Sequence, residues 1–390
     1  MSYFSLIAVP STISADAIDI QYTDNGVEPI ISKSLNSYSN SIKLQIDTVS
    51  DVWDIYKKIT NPYEYIHTPI PNSKQAICKL KPLSRAFYKL VEICKLLSIL
   101  NHYTTQNMNS FHLAEGPGGF IEALAMLRNN PKDNYYAMTL IEEDQNIPGW
   151  KKSVFFLSKN PNVTIENGYD GTGDLMVWYN LVYCHKKYRG TIDLITADGG
   201  FDFSIDFNKQ ESLSIKLILS QIAFAISMQK IGGVFILKIF DVFTQPTIDL
   251  LYLLSGMYET VHIVKPYTSR YANSERYVVC KGFRLQDVAT YLKQFESIYR
   301  DSRPITRVLK TDIPYIYINK LEECNAILGQ QQIENISNTL NLIENNNTDK
   351  IESMRKNNIQ KCINWCQKHK VPFNKNIHQT NIFLTPKSMG

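Results

Sequence analysis

The chain has 390 residues, enough for one large domain with additions or for two domains. With 44% hydrophobic and 20% charged residues it reads as a folded globular protein, and a net charge of +4 permits nucleic-acid binding without demanding it. Seven scattered cysteines (78, 94, 184, 280, 324, 362 and 366) speak for reduced thiols in the cytoplasm or nucleus, not a disulfide framework; the N-terminus lacks a signal-peptide pattern, and no uncharged apolar run reaches membrane-spanning length.

Residues 1–75 read as an N-terminal extension. Within it, 5–9 has strand character, the Ser/Asn-rich stretch 34–41 reads as a loop, and 49–59 has helical spacing that Asn61-Pro62 ends. Pro69-Ile-Pro71 reads as an extended linker. Residues 84–100 form an amphipathic helix with Ser84 as N-cap, and Arg85 and Lys89 stand one turn apart on it.

From residue 110 the chain alternates strands with helices. A strand at 110–114 runs into Glu115-Gly-Pro-Gly-Gly-Phe120 and a helix at 121–127. Strand, glycine turn, helix is how an α/β sheet opens a ligand site, because glycines let a ligand approach the backbone. This turn is neither the dinucleotide fingerprint nor a phosphate loop, and its leading carboxylate suits a cationic or amine-bearing ligand. A second strand, 135–141, precedes the acids Glu142-Glu143-Asp144, where a ribose is often held. A third, 163–166, is followed by Gly171-Thr-Gly173-Asp174 and a helix at 175–183, with Asp174 as an N-cap or a ligand-base acceptor.

The fourth strand, 192–198, ends in Asp198-Gly199-Gly200, an acid at the position where open α/β sheets collect their chemistry. An apolar helix at 210–229 leads to a fifth strand, 232–240, in which Lys238 stands at the carboxyl end of an apolar run. Lysine is rarely buried unpaired, and Asp198 should lie on the neighbouring strand. A helix at 246–254 and strands at 260–265 and 275–283 complete a doubly wound, mostly parallel seven-stranded sheet whose last strand is antiparallel, followed by a helix at 285–299. Residues 319–346 and 350–370 are helical again, and 371–390 read as a tail. Cys362, Cys366 and His369 share one helix face, but without a fourth ligand an apolar packing face outweighs a metal site, and no metal is expected.

Taken together, Ser84-Arg-Ala-Phe-Tyr-Lys89-Leu, His112-Leu-Ala-Glu-Gly-Pro-Gly-Gly-Phe120, Gly171-Thr-Gly-Asp174, Thr196-Ala-Asp198-Gly-Gly200, Leu237-Lys238, and Lys265-Pro266 with Ser269-Arg270 and Asn273-Ser-Glu275-Arg-Tyr277 resemble the FtsJ-like ribose 2′-O-methyltransferases. The likeness is strongest to the mRNA cap branch, which includes members from large DNA viruses. It covers about residues 80–300. It implies a class I methyltransferase fold over 76–300, with a mainly helical region over 301–390.

The resemblance further implies S-adenosylmethionine as cofactor and a catalytic tetrad of Lys89, Asp198, Lys238 and Glu275. Glu115, Gly116, Pro117, Gly118, Gly119 and Phe120 would hold the methionine end of the cofactor, with Asp174 at the adenine and Asp198 also among the cofactor contacts. The family's acid after the second strand has no clean match in Thr139-Leu-Ile-Glu142. Lys238, the more enclosed lysine, takes the role of base, which requires its pKa to fall well below about 10.4; Lys89 adds positive charge and orients the hydroxyl. Arg85, Lys265, Arg270 and Arg276 are the expected RNA contacts, and Tyr63, Tyr65, Tyr103 and Trp150 are aromatics that could stack on a cap or simply pack.

The implied partners are the 5′ end of capped mRNA and other capping or transcription proteins, with no membrane. The implied setting is cytoplasmic (a viral factory or virion for a viral member) or nuclear. Alternatives are 2′-O-methylation of ribosomal or transfer RNA, and a non-catalytic RNA-binding subunit with the same fold.

Overall fold

The computed structural model describes residues 2–71, 73–141, 149–200 and 207–374. The chain opens with β1 (Ser2–Ser5), β2 (Ile18–Tyr22), α1 (Lys33–Asp47) and α2 (Ser50–Thr60). The alternating part runs α3 (Ala86–Leu96), β3 (Asn109–Leu113), α4 (Gly119–Arg128), β4 (Asn134–Met138), α5 (Val154–Lys159), β5 (Val163–Ile165), α6 (Trp178–Tyr188), β6 (Ile192–Ala197), α7 (Gln210–Met228), β7 (Gln229–Ile239), α8 (Gln245–Met257), β8 (Tyr258–Lys265) and β9 (Arg276–Phe283). It closes with α9 (Ala289–Phe295), β10 (Ile305–Leu309), α10 (Tyr315–Asn345) and α11 (Thr348–Lys368).

The sheet order is β1-β8-β9-β7-β6-β3-β4-β5. The pairs among β3 to β7 are parallel, and β9 is antiparallel to both β7 and β8. The seven strands read from the sequence are present, and β1 adds an eighth against β8, with Tyr3 opposite Val264. Parallel strands covered on both faces must be apolar on both. In β6 and β7, Ile195, Phe235 and Leu237 face one buried cluster, and Leu194, Val234 and Ile236 face the other. α3, α4 and α11 cover the second face; α6, α7 and α8 cover the first. α7 is apolar and long enough to cross a membrane by length and composition, yet 83% of that stretch is buried within the fold.

Several sequence expectations change. The stretch 34–41 is not a loop but part of α1, because Leu35, Ile42 and Ile46 lie on one helix face and pack with Trp53 of α2 and with Ile333 and Ile336 of α10. The helix expected from residue 84 starts at Ala86, and Ser84 makes no side-chain cap; Arg85 is the boundary residue. Asp174 does not cap α6, whose N-cap is Val177; its Oδ1 instead accepts the Met176 N–H at 2.7 Å in a local turn. Ile70, in the expected linker, is buried in the second core. The acids 142–144 lie outside the described residues.

Candidate functional site

Strand register sets the site. Leu113 pairs with Ala197, Ala197 with Leu237, and Lys238 with Tyr277. The glycine turn after β3, Asp198 after β6 and Lys238 near the end of β7 therefore come level. β9 runs the other way, so its beginning, with Glu275 just ahead of it, arrives at the same edge. α3 lies directly on the glycine turn: a Cβ at Gly119 would meet Ser84 Oγ at 2.1 Å and Phe87 N at 3.3 Å, so a side chain there would have to displace Ser84 and crowd the start of α3. Leu83 N donates to Glu122 Oε2 at 2.7 Å and fixes the start of α3, from which Lys89 reaches the strand ends.

The four expected tetrad residues meet in one connected chain, in which Lys89, its side chain 10% exposed, is slightly more enclosed than Lys238 at 13%, contrary to the expectation from sequence. Lys89 Nζ is 2.8 Å from Glu275 Oε2 and 3.4 Å from the Tyr277 hydroxyl. That hydroxyl donates to Asp198 Oδ1 at 2.8 Å. Lys238 Nζ donates to the Asp198 carbonyl at 2.6 Å and lies 3.4 Å from Asp198 Oδ1. Ser269 Oγ donates to the other Glu275 oxygen at 2.7 Å. Burial works against ionisation of Glu275, but Lys89, Lys238 and Lys265 outweigh it and hold the carboxyl well below the usual range. A Cβ at Gly200 would stand 3.2 Å from Lys238 Nζ, so a side chain there would crowd the amine.

Glu115 is buried, and its Oε1 accepts the N–H groups of Phe120 at 2.7 Å and Ile121 at 3.0 Å, closing the start of α4. Burial pushes its pKa up to about 8; the Ile121 N–H resists and Asp198 adds to the rise. Gly118 adopts a φ of +108°, and a Cβ there would touch Leu83 and Trp150. Asp174 sits on a loop that crosses the end of β4, where a Cβ at Gly173 would meet the Thr139 carbonyl at 2.1 Å.

Of the four basic residues expected on RNA, Lys265 and Arg276 are not available. Both are buried. Lys265 spends its donors on Asn273 and Glu275, and Arg276 on Asp241 at 3.1 Å, Asn325 at 3.2 Å and the Ser274 carbonyl. Arg85 is partly buried, donating to the Thr268 carbonyl at 3.0 Å, and Arg270 forks onto Glu64 at 2.8 and 3.1 Å with its side chain 28% exposed. Among the aromatics, Tyr65 and Tyr103 are core residues, Trp150 packs on Gly118, and Tyr63 stacks on Tyr267 at 4.9 Å. Cys362 and Cys366 are buried in the second core, and among the described residues no cluster of three or more His, Cys, Asp or Glu is arranged to hold a metal.

Sequence reasoning missed Tyr277, Ser269 and Glu92. Glu92 takes the N–H groups of Tyr267 and Thr268, each at 2.8 Å, and so anchors the segment leading to Glu275. Its acid on the apolar helix α3 was the readable signal; Tyr277 and Ser269 stand within the stretches that carry the family resemblance, but a strand tyrosine and a loop serine suggested no role by themselves.

A mostly parallel sheet with a reversed last strand, helices on both faces and a glycine turn after β3 is the fold of a class I methyltransferase. Residues 82–283 match the FtsJ-like methyltransferase family, and the chain belongs to it. It is similar to a Drosophila melanogaster protein named cap-specific mRNA (nucleoside-2′-O-)-methyltransferase 2, 28% identical over 296 residues, covering 69% of this chain and 41% of that protein. It is also similar to a Trypanosoma cruzi protein named cap-specific mRNA (nucleoside-2′-O-)-methyltransferase 1, 31% identical over 268 residues, covering 64% and 72%. The chain thus spans about two fifths of the Drosophila relative. Among solved structures, a ribosomal RNA methyltransferase from Plasmodium falciparum is 24% identical over 52% of this chain and 98% of that one, with a TM-score of 0.37.

The methyl donor of such a family is S-adenosylmethionine, and the residues present fit it. Asp198 places an acid at the strand ends for a ligand carrying a positive charge, and Gly116 and Pro117 of the glycine turn remain half-buried beside it; Glu115, expected to face a cationic ligand, is instead buried and accepts the Phe120 and Ile121 N–H groups.

Proposed function

We propose that the protein methylates the 2′-hydroxyl of a ribose in RNA, at the 5′ end of capped mRNA, with Lys89, Asp198, Lys238 and Glu275 as its catalytic residues. The observation that supports the chemistry most is the unbroken chain Glu275–Lys89–Tyr277–Asp198–Lys238, drawn from four separate segments. The choice of capped mRNA rests on the names of the relatives.

When bound, S-adenosylmethionine supplies a methyl group on a positively charged sulfur, open to in-line displacement. In this reading Lys238 Nζ would take the proton that the ribose hydroxyl gives up on methylation. Asp198 holds Lys238 through its carbonyl and carboxylate. Lys89, fixed by Glu275, stabilises negative charge developing on the oxygen. The hydrogen-bonded arrangement would hold the two lysines in fixed positions for orienting the hydroxyl. Glu115 to Phe120 and Asp174 bind the two ends of the cofactor, and Arg85 and Arg270 position RNA phosphates. The catalytic unit spans 76–300, flanked by 1–75 and 301–390, and the setting is cytoplasm or nucleus with other capping or transcription proteins as partners.

The test uses labelled S-adenosylmethionine with RNAs that differ only in the cap, and a Lys238→Ala variant. Label on a 5′-proximal ribose of capped RNA, absent with the variant, is the expected result. Transfer to uncapped structured RNA instead moves the substrate to ribosomal or transfer RNA. RNA binding with no transfer to any RNA leaves a non-catalytic subunit.

A further inference from the structure

Lys265 is a buried cation that this chemistry does not use. It ends β8, and its Nζ donates to the carbonyls of Asn273 and Glu275, each at 2.6 Å, and to Asn273 Oδ1 at 2.7 Å. An ammonium has three donors and no acceptor, so three surrounding oxygens match the protonated form; a neutral amine would turn its lone pair on one of them. All three oxygens belong to the connection 266–275 between β8 and β9. That connection carries Glu275 and its partner Ser269.

The rest of the connection is tied from outside. Glu92 on α3 holds the N–H groups of Tyr267 and Thr268, Glu64 holds Arg270, Gln332 on α10 donates to the Ala272 carbonyl at 3.0 Å, and Ser274 donates to Gln210 of α7 at 2.8 Å. These fix the outer course of the loop. Lys265 fixes its last turn from within, at the carbonyl of Glu275 itself. Burial pulls the Lys265 pKa down to about 7; Glu275 and Asp241 pull it back, while Arg276 and Lys89 press it lower.

We infer that Lys265 is a positioning residue for methyl transfer, drawing the Asn273 and Glu275 carbonyls together so that the Glu275 carboxylate meets Lys89. The inference rests on the methyltransferase reading of the site. It also separates Lys265 from the RNA contacts, because no donor remains for a phosphate.

The experiment compares wild type, Lys265→Met and Asn273→Ala on whichever RNA wild type methylates best. Lys265→Met keeps the apolar stem without the ammonium; Asn273→Ala removes one acceptor and disturbs the core less. Readouts are kcat, KM, calorimetric affinity for S-adenosylmethionine, and RNA affinity against salt. For Lys265→Met, kcat falls about tenfold or more while KM and cofactor affinity stay within about threefold. For Asn273→Ala, kcat falls about threefold. The salt slope of RNA binding is unchanged in both.

Full kcat in Lys265→Met overturns the inference. So does a salt slope smaller by about one in Lys265→Met, the mark of a lost phosphate contact, or a loss of cofactor affinity in proportion to kcat. If Lys265→Met does not fold, Asn273→Ala decides by the same criteria. A wild type that methylates no RNA overturns the functional reading and this inference with it, whereas an active wild type beside an equally active Lys265→Met overturns the positioning role alone.

Discussion

Tyr277 joins the two halves of the site. Its ring is fully buried, and burial, with Asp198 and Glu275 nearby, pushes its hydroxyl well above the usual phenol range, so it stays neutral. A neutral phenol can give one proton and accept another, and Tyr277 does both: it donates to Asp198 and stands 3.4 Å from the Lys89 ammonium. Without the hydroxyl, Asp198 Oδ1 loses a partner in a poorly hydrated place, at a cost of about 1–3 kcal/mol. We expect Tyr277→Phe to lower kcat about tenfold, about 1.4 kcal/mol of transition-state stabilisation, with cofactor affinity within about twofold. Single-turnover kinetics beside calorimetry check this, and an unchanged turnover rate refutes it. Asp198 and Lys238 were readable as site candidates because they break apolar strands at their carboxyl ends, where charge has no packing reason to be, whereas Lys89 and Glu275 entered only through the family resemblance. Tyr277 was not readable, since its partners lie far away in sequence and aromatics are common in strands.

At the scale of elements, two turns shape the proposed cofactor site, and each yields a prediction. The turn between β3 and α4 holds Glu115 protonated up to about pH 8, whereas an unfolded glutamate ionises near 4.3. Between those values the fold keeps a proton that the unfolded chain releases. The stability this contributes is complete below the unfolded pKa, falls as pH rises, and is gone above about 8. Glutamine can accept the same two N–H groups without a charge. Glu115→Gln should therefore raise the melting temperature of the free protein by several degrees at about pH 9 and little at about pH 5; equal shifts at both pH values would refute the buried-acid account. The loop 168–174 depends on Asn180 of α6, whose side chain uses all four hydrogen bonds, accepting from Tyr169 N and Asp170 N and donating to Asp170 Oδ1 and the Asp174 carbonyl. Asn180→Ala should free this loop and weaken S-adenosylmethionine binding about tenfold, while binding of RNA without the cofactor stays the same. Elements were legible where pattern and burial coincide, as in β6 and β7. They were illegible in α1, where a Ser/Asn-rich surface hides a narrow apolar face that makes sense only against α10.

At the scale of the molecule, the flanking regions meet each other and the sheet. β2 pairs with β10, β1 extends the main sheet, and α1 packs with α2 and α10. These pairings are not legible in the sequence, because contacts between segments more than two hundred residues apart, such as β1 with β8 and β2 with β10, leave no local periodicity. The consequence for the site runs through Asp241, buried just beyond β7. It takes Lys43 of α1 at 3.3 Å and Arg276, the neighbour of Glu275, at 3.1 Å; Arg276 also reaches Asn325 of α10. Replacing Asp241 by Asn keeps its shape but leaves two buried cations facing a neutral amide. Breaking a buried pair in this way costs about 3–5 kcal/mol, so Asp241→Asn should lower the urea midpoint markedly and reduce kcat through the displaced Arg276. Because much of that cost is the uncompensated charge, removing one cation should recover part of it. Lys43→Met should destabilise wild type but cost less, or even stabilise, in the Asp241→Asn background. Strict additivity of the two substitutions in urea unfolding would mean that Lys43 and Asp241 are not coupled, and that α1 supports the strand ends by apolar packing alone.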